Sequence, residues 1–124
     1  MTESGVLIQT LLVAPTGIMG SSLRTFLRTI PGVRVADQVS SPDEALKVLS
    51  HCQPNLLLLD ADAANGNLDT RLGQLRLAAP TLNLIVLANS WSQRQDALNA
   101  GASSALLKGC LDDQLRQAIL LTTI

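Results

Sequence analysis

Two residues of opposite charge close apolar runs in this chain: Asp60 ends Leu56-Leu57-Leu58-Leu59-Asp60, and Lys108 ends Ala105-Leu106-Leu107-Lys108. A carboxylate beside an ammonium at one edge of a sheet is equipped to hold or transfer a phosphoryl group. The bland alternative is a structural ion pair, or two caps on the loops that follow. A second candidate is Thr16-Gly17-Ile18-Met19-Gly20, a turn of small residues where a glycine-rich loop would cradle a nucleotide or flavin phosphate. It lacks the full G-x-G-x-x-G pattern, and small residues there also serve simply to start a helix. His51 has no visible partner for catalysis and reads as exposed near the end of a helix. Cys52 and Cys110 form neither a metal-ligand spacing nor a C-x-x-C redox pair, so both read as small core or surface thiols.

These residues must be positioned by strands and helices that the hydrophobic pattern predicts. Val6 to Val13 is a β-rich run ended by Ala14-Pro15, and Gly17 to Ile30 carries Ile18, Met19, Leu23, Phe26, Leu27 and Ile30 at helical spacing. Val33 to Val39 alternates as a less buried strand does. Ser41-Pro42-Asp43-Glu44 is a capping box for a helix expected to bury Ala45, Leu46, Val48, Leu49 and Cys52 and to close at Pro54. Asn55 to Asp60 is continuously apolar up to its carboxylate and reads as a central strand covered on both faces. Leu68, Leu72, Leu75 and Ala79 mark a third helix, Leu82 to Ala88 a fourth strand, and Trp91 to Ala100 a fourth helix capped by Gly101. Ala105 to Leu107 is a short fifth strand, and a last helix from Leu111 puts Leu115, Ala118 and Ile119 on one face. The alternation predicts an α/β fold: a five-stranded parallel, doubly wound sheet in a single domain, with ligands expected beyond the carboxyl ends of the strands.

Composition narrows the function. The chain has 124 residues, 47% hydrophobic and 15% charged, so it can bury one core. Lys+Arg 9 against Asp+Glu 10 gives a net charge of -1 with no basic run, which argues against direct contact with nucleic acid or an acidic membrane surface. Aromatics stand at 2%, too few for stacking platforms. The apolar runs are shorter than the roughly 18 residues of a membrane span, and no leader pattern opens the chain, so a cytoplasmic location is expected.

Over essentially its whole length the chain resembles the receiver domain of two-component response regulators, which has a flavodoxin-like (βα)5 fold. The resemblance is carried by Leu56 to Asp60, similar to the phospho-acceptor strand, and by Gly101-Ala102-Ser103-Ser104-Ala105-Leu106-Leu107-Lys108, similar to the Gly-Ala segment that leads to the family's lysine. Pro31-Gly32-Val33 and Ser41 to Leu46 further resemble the nitrate-type regulators of transcription, whose receivers precede a helix-turn-helix DNA-binding domain. The reading is of one receiver-like domain over residues 1–124, with that output domain absent from this chain. The resemblance implies a signalling domain rather than an enzyme, with Asp60 as phospho-acceptor position and Lys108 as phosphate-site lysine.

Four positions depart from the family's pattern. Ala14 and Pro15 stand where an acidic pair would help to bind Mg²⁺, Ala88 where a hydroxyl would grip the phosphoryl group, and Ala105 where a switch aromatic would sit. Asp62 is nearby but does not obviously replace the lost pair. The expectation is a degenerate receiver, a pseudo-receiver: Mg²⁺ binding weak or absent, Lys108 permanently paired with Asp60, and action through protein contacts that do not depend on phosphorylation. A conventional receiver, phosphorylated on Asp60 by a histidine kinase, is the alternative. The expected partners are proteins: an output domain, a second copy of the chain and, on the alternative reading, a histidine kinase. Trp91 reads either as a ring over the core edge or as an interface anchor. Leu120, Leu121 and Ile124 add apolar surface to the last helix that one amphipathic face cannot bury, which points to a homodimer.

Overall fold

In a computed structural model of the protein, residues 7–64, 66–108 and 112–122 are described, with the side chains at 112, 121 and 122 left aside. Leu111, Cys110, Ile124 and the side chain of Leu121, all named above, lie outside the described residues.

The arrangement grows outward from the apolar third strand. Leu56–Asp60 (β3) is buried at every position, as a strand with both faces covered must be. It pairs in parallel with Ile8–Val13 (β1) on one side and Asn83–Ala88 (β4) on the other. Val33–Val39 (β2) pairs with β1, and Ser104–Leu107 (β5) with β4, giving the parallel order β2-β1-β3-β4-β5. The alternating strand β2 takes an edge, where Arg34 and Asp37 face solvent.

The helices are Ile18–Arg28 (α1), Pro42–Leu49 (α2), Leu68–Ala78 (α3), Trp91–Asn99 (α4) and Asp112–Thr122 (α5), with a 3-10 turn over Ala61–Ala64 between β3 and α3. Two cores form, one on each face of the sheet. Ala45, Leu68, Leu72, Leu75 and Ala97, from α2, α3 and α4, pack on Leu11, Val13, Leu57, Leu59, Leu84 and Val86. Leu23, Leu27, Leu115 and Ile119, from α1 and α5, pack on Leu12, Leu56, Leu58, Ile85 and Leu87. Each buried leucine, isoleucine or valine among them contributes roughly 1.5–3 kcal/mol of transfer free energy.

The capping box forms, with a variation. Ser41 Oγ accepts from the Glu44 backbone N–H at 3.2 Å, but the Glu44 carboxylate accepts from the backbone N–H and the hydroxyl of Ser40, not from Ser41. Hydrogen bonds from Ser40 hold that exposed carboxyl below its ordinary range. The helix ends at Leu49, with Ser50 as its C-cap, well before Pro54.

Cys52 therefore falls beyond α2 and is exposed, a correction to its expected burial. Ile18 and Met19 also differ from expectation: they lie in the first turn of α1 and are exposed. Gly101 takes φ +116 just past α4, the left-handed region that glycine tolerates after a helix.

Arg76, on α3, ties the far end of the sheet together. Its guanidinium donates to the carbonyls of Leu82 at 2.6 Å, Gly101 at 2.7 Å and Pro80 at 3.1 Å.

Candidate functional site

Strand register brings the chemistry to one sheet edge. Leu59 pairs with Val13, Asp60 with Leu87, and Ala88 with Leu107, so Ala14, Asp60, Ala88 and Lys108 all gather at the carboxyl ends of β1, β3, β4 and β5. Lys108 Nζ lies 2.6 Å from Asp60 Oδ1, as the sequence reading expected. Asp60 is only 1% exposed and the Lys108 side chain 15%, so this pair is shielded from the solvent that weakens surface ion pairs.

The ammonium has a second partner. Asp62, two residues into the 3-10 turn, places Oδ2 2.7 Å from Lys108 Nζ. Asp62, expected to lie nearby, therefore joins the site as a second partner of the lysine. Its other oxygen accepts from Asn89 Nδ2 at 2.8 Å, and its backbone N–H donates to Asp60 Oδ1 at 3.0 Å. The tight turn after β3 sends the chain back over the strand end, and this folding-back is what brings an i+2 carboxylate to the same lysine. The Asp-x-Asp spacing was visible; the contact with Asn89 in the β4–α4 loop carried no local signal.

The electrostatics follow the geometry. Burial opposes the charge on Lys108, but hydrogen bonds and charge from Asp60 and Asp62 more than offset it and hold the ammonium above the ordinary lysine range. Hydrogen bonds from Lys108 and then Asn89 hold Asp62 below the ordinary carboxylate range, against a smaller effect of burial. Asp60 Oδ2 is buried with no hydrogen-bond partner among the described residues.

Around this pair the neighbours are small. Ala14 and Ala88 are buried and Pro15 half-buried, and none brings a side-chain polar atom. Ala105 is buried in β5, and its carbonyl accepts from Arg94 Nε at 2.8 Å. Among the described residues no group of three or more His, Cys, Asp or Glu is arranged to hold a metal ion.

The other candidates separate from this site. Trp91 is 70% exposed at the start of α4, with the Arg94 guanidinium 5.5 Å from its ring centroid, so it does not cover the core. Gly17 takes φ +125 before α1. A Cβ on Gly20 would lie 3.0 Å from both the Pro15 carbonyl and Gln38 Nε2, so close packing accounts for that glycine without a ligand. His51 is exposed just past α2, its Nδ1 3.5 Å from Ser50 Oγ, in the segment that leads into β3 rather than at its carboxyl end. Leu120 on α5 is 39% exposed.

Comparison with solved structures places this fold. The receiver domain of a putative response regulator NarL from Mycobacterium tuberculosis superimposes with a TM-score of 0.83 and 16% identity, over 96% of this chain and 98% of that one. The isolated REC domain of RcsB from Salmonella enterica serovar Typhimurium, solved with phosphomimetic BeF3-, gives 0.79 and 18% identity over 92% and 86%. The response regulator domain of Thermotoga maritima CheB gives 0.75 and 18% over 94% and 93%. The chain has the receiver fold of response regulators. In sequence it is 31% identical over 111 residues to a protein-glutamate methylesterase/protein-glutamine glutaminase of Myxococcus xanthus (strain DK1622), a match that takes in 87% of this chain. The chain spans only 31% of that relative's length. No protein-family model matches the chain.

Proposed function

We propose that this chain is a degenerate receiver: a cytoplasmic signalling domain, not an enzyme, that works by protein contact without a Mg²⁺-dependent aspartyl-phosphate switch. One observation carries this reading. The acceptor position, Asp60, is clamped by Lys108 while Ala14, Pro15 and Ala88 offer no side-chain donor or ligand around it.

The residues present do not fit a magnesium ion. Mg²⁺ requires oxygen ligands in a near-ideal octahedron. Here Ala14 and Pro15 supply none, and the two carboxylates at hand, Asp60 and Asp62, both already bind the Lys108 ammonium. A Mg²⁺ titration at millimolar concentration, followed by the emission of Trp91, tests this. Unchanged emission is expected; a saturable transition that disappears in Asp60→Asn would overturn it.

A second reading has one observation in its favour. Asp60 Oδ2 has no partner among the described residues, as an acceptor oxygen awaiting a phosphoryl group would have none. On that reading a histidine kinase phosphorylates Asp60. A nucleotide- or flavin-binding role at Thr16 to Gly20 has less support, because packing and backbone geometry account for both glycines.

The partners proposed are proteins. Receivers contact kinases and output domains, and the likeness to a nitrate-type regulator extends this to transcriptional control. The activity in the name of the Myxococcus protein stays with that protein. The exposed Leu120 supports a homodimer through α5. No helix among the described residues is long and apolar enough to cross a membrane.

A further inference from the structure

The sheet leaves its longest strand at an edge. β2 pairs only with β1, so the outward backbone groups of this seven-residue strand have no neighbouring strand. The strand is also irregular. Thr10 pairs with Val35 and the next residue, Leu11, with Asp37, so Ala36 is an extra residue bulged out of the ladder. Val33 and Val35 pack in the core beneath α1 and α5, which turns Arg34 between them to the α2 side of the sheet. Val39 packs in the opposite core, and Asp37, two residues before it, shares its side. Residues three apart on a regular strand point to opposite sides, and the bulge is what puts Arg34 and Asp37 on the same one. Both are exposed, and neither has an ion-pair partner among the described residues.

We infer that the β2 edge is an interface for a second copy of this chain, whose own β2 runs antiparallel beside it. Such a pair has its two-fold axis normal to the sheet, so both copies keep the same face on the same side. Centred between Val35 and Ala36, the axis sets Arg34 opposite Asp37 of the second copy and Asp37 opposite its Arg34. One self-complementary edge thus makes two cross-strand ion pairs. Backbone directions agree with that register. The Gly32 and Val39 carbonyls accept from the Ile8 and Ala14 backbone N–H groups at 2.6 and 3.0 Å, so both turn toward β1, and by alternation Val33 and Gln38 turn outward. The same axis brings the Gln38 N–H to the Val33 carbonyl of the second copy. In the single chain that N–H donates to Asp37 Oδ1 at 2.8 Å, so pairing releases the Asp37 carboxylate to the arginine. Charges on an edge strand ordinarily discourage strand addition; an opposite pair on one face instead selects this one register. The interface involves neither α5 nor Asp60 and Lys108, so it stands independently of the function proposed above.

Sedimentation equilibrium in the Leu120→Lys background, which removes the exposed leucine of α5, measures this pairing apart from any contact through that helix. The folded Leu120→Lys protein is expected to keep a weak association at high micromolar concentration that added salt diminishes. Arg34→Asp or Asp37→Arg, added singly, sets like charges opposite each other and is expected to raise the dissociation constant about tenfold. Combining the two reverses both pairs and is expected to restore the association. Amide hydrogen exchange at Gln38, expected to slow as the concentration of the wild type rises, reads the backbone pairing without any substitution. A Leu120→Lys protein that stays monomeric, a combined variant no tighter than the single ones, or Gln38 exchange that ignores concentration overturns the proposal.

Discussion

Asp60 is a carboxylate in a place water barely reaches, and its tolerability there depends on Lys108. Removing one member of such a pair costs more than removing both, because the survivor keeps the burial without the compensation. Lys108→Met is therefore predicted to lower the urea-unfolding free energy by about 3 kcal/mol, and adding Asp60→Asn to recover most of that loss. A double variant no more stable than Lys108→Met would contradict the pairing. Acid stability tests the second carboxylate. Asp62 has a lowered folded value, so its contribution is complete above about pH 4, its ordinary value, and is lost as pH falls through the lower folded one. Lys108 has a raised folded value; its contribution is complete below about pH 10 and is lost as pH climbs through the higher folded one. Between those limits neither Asp62 nor Lys108 adds pH dependence. Unfolding midpoints measured across the acid edge should fall for the wild type and fall less for Asp62→Asn. Putting the acidic pair back, Ala14→Asp with Pro15→Asp, adds like charge beside Asp60. It is predicted to create a metal site while destabilising the metal-free protein by about 1–3 kcal/mol.

At the scale of elements, the contacts that hold the strand ends in place are testable one by one. Arg76 serves carbonyls on two loops, at Pro80 and Leu82 after its own helix and at Gly101 after α4. Arg76→Ala is predicted to cost about 2–4 kcal/mol, as expected when several half-buried carbonyls lose a charged donor together, with Arg76→Lys recovering part of it. An unchanged denaturation midpoint for Arg76→Ala would refute that role. The sequence made some of these elements plain and hid others. β3 was legible because an unbroken apolar run needs cover on both faces, and α2 because Ser41-Pro42-Asp43-Glu44 states a cap in four adjacent residues. Arg76 was not legible, since its partners at Gly101 and Leu82 become neighbours only when α3 packs against the sheet. The exposure of Ile18 and Met19 was missed for a related reason. Helical spacing says which residues share a face, not which turns of the helix find a neighbour to pack on. At the site, Asp60 and Lys108 were found because each ends an apolar strand, whereas Asn89 entered through a loop contact with no local pattern.

For the whole molecule, the fold supplies a receiver scaffold whose strand ends converge on an ion-paired carboxylate, and whose outer faces carry Trp91 and Leu120 exposed. Sedimentation equilibrium at high micromolar concentration is predicted to show a dimer that Leu120→Lys weakens. A monomeric wild type, or a variant that pairs as well, would remove the self-association. The central claim concerns Asp60, and intact-mass measurement after incubation with a small phosphodonor and Mg²⁺ tests it most directly, with Asp60→Asn as control. The account predicts the same mass before and after incubation for both proteins. A gain of one phosphoryl group in the wild type that is absent from Asp60→Asn would contradict it.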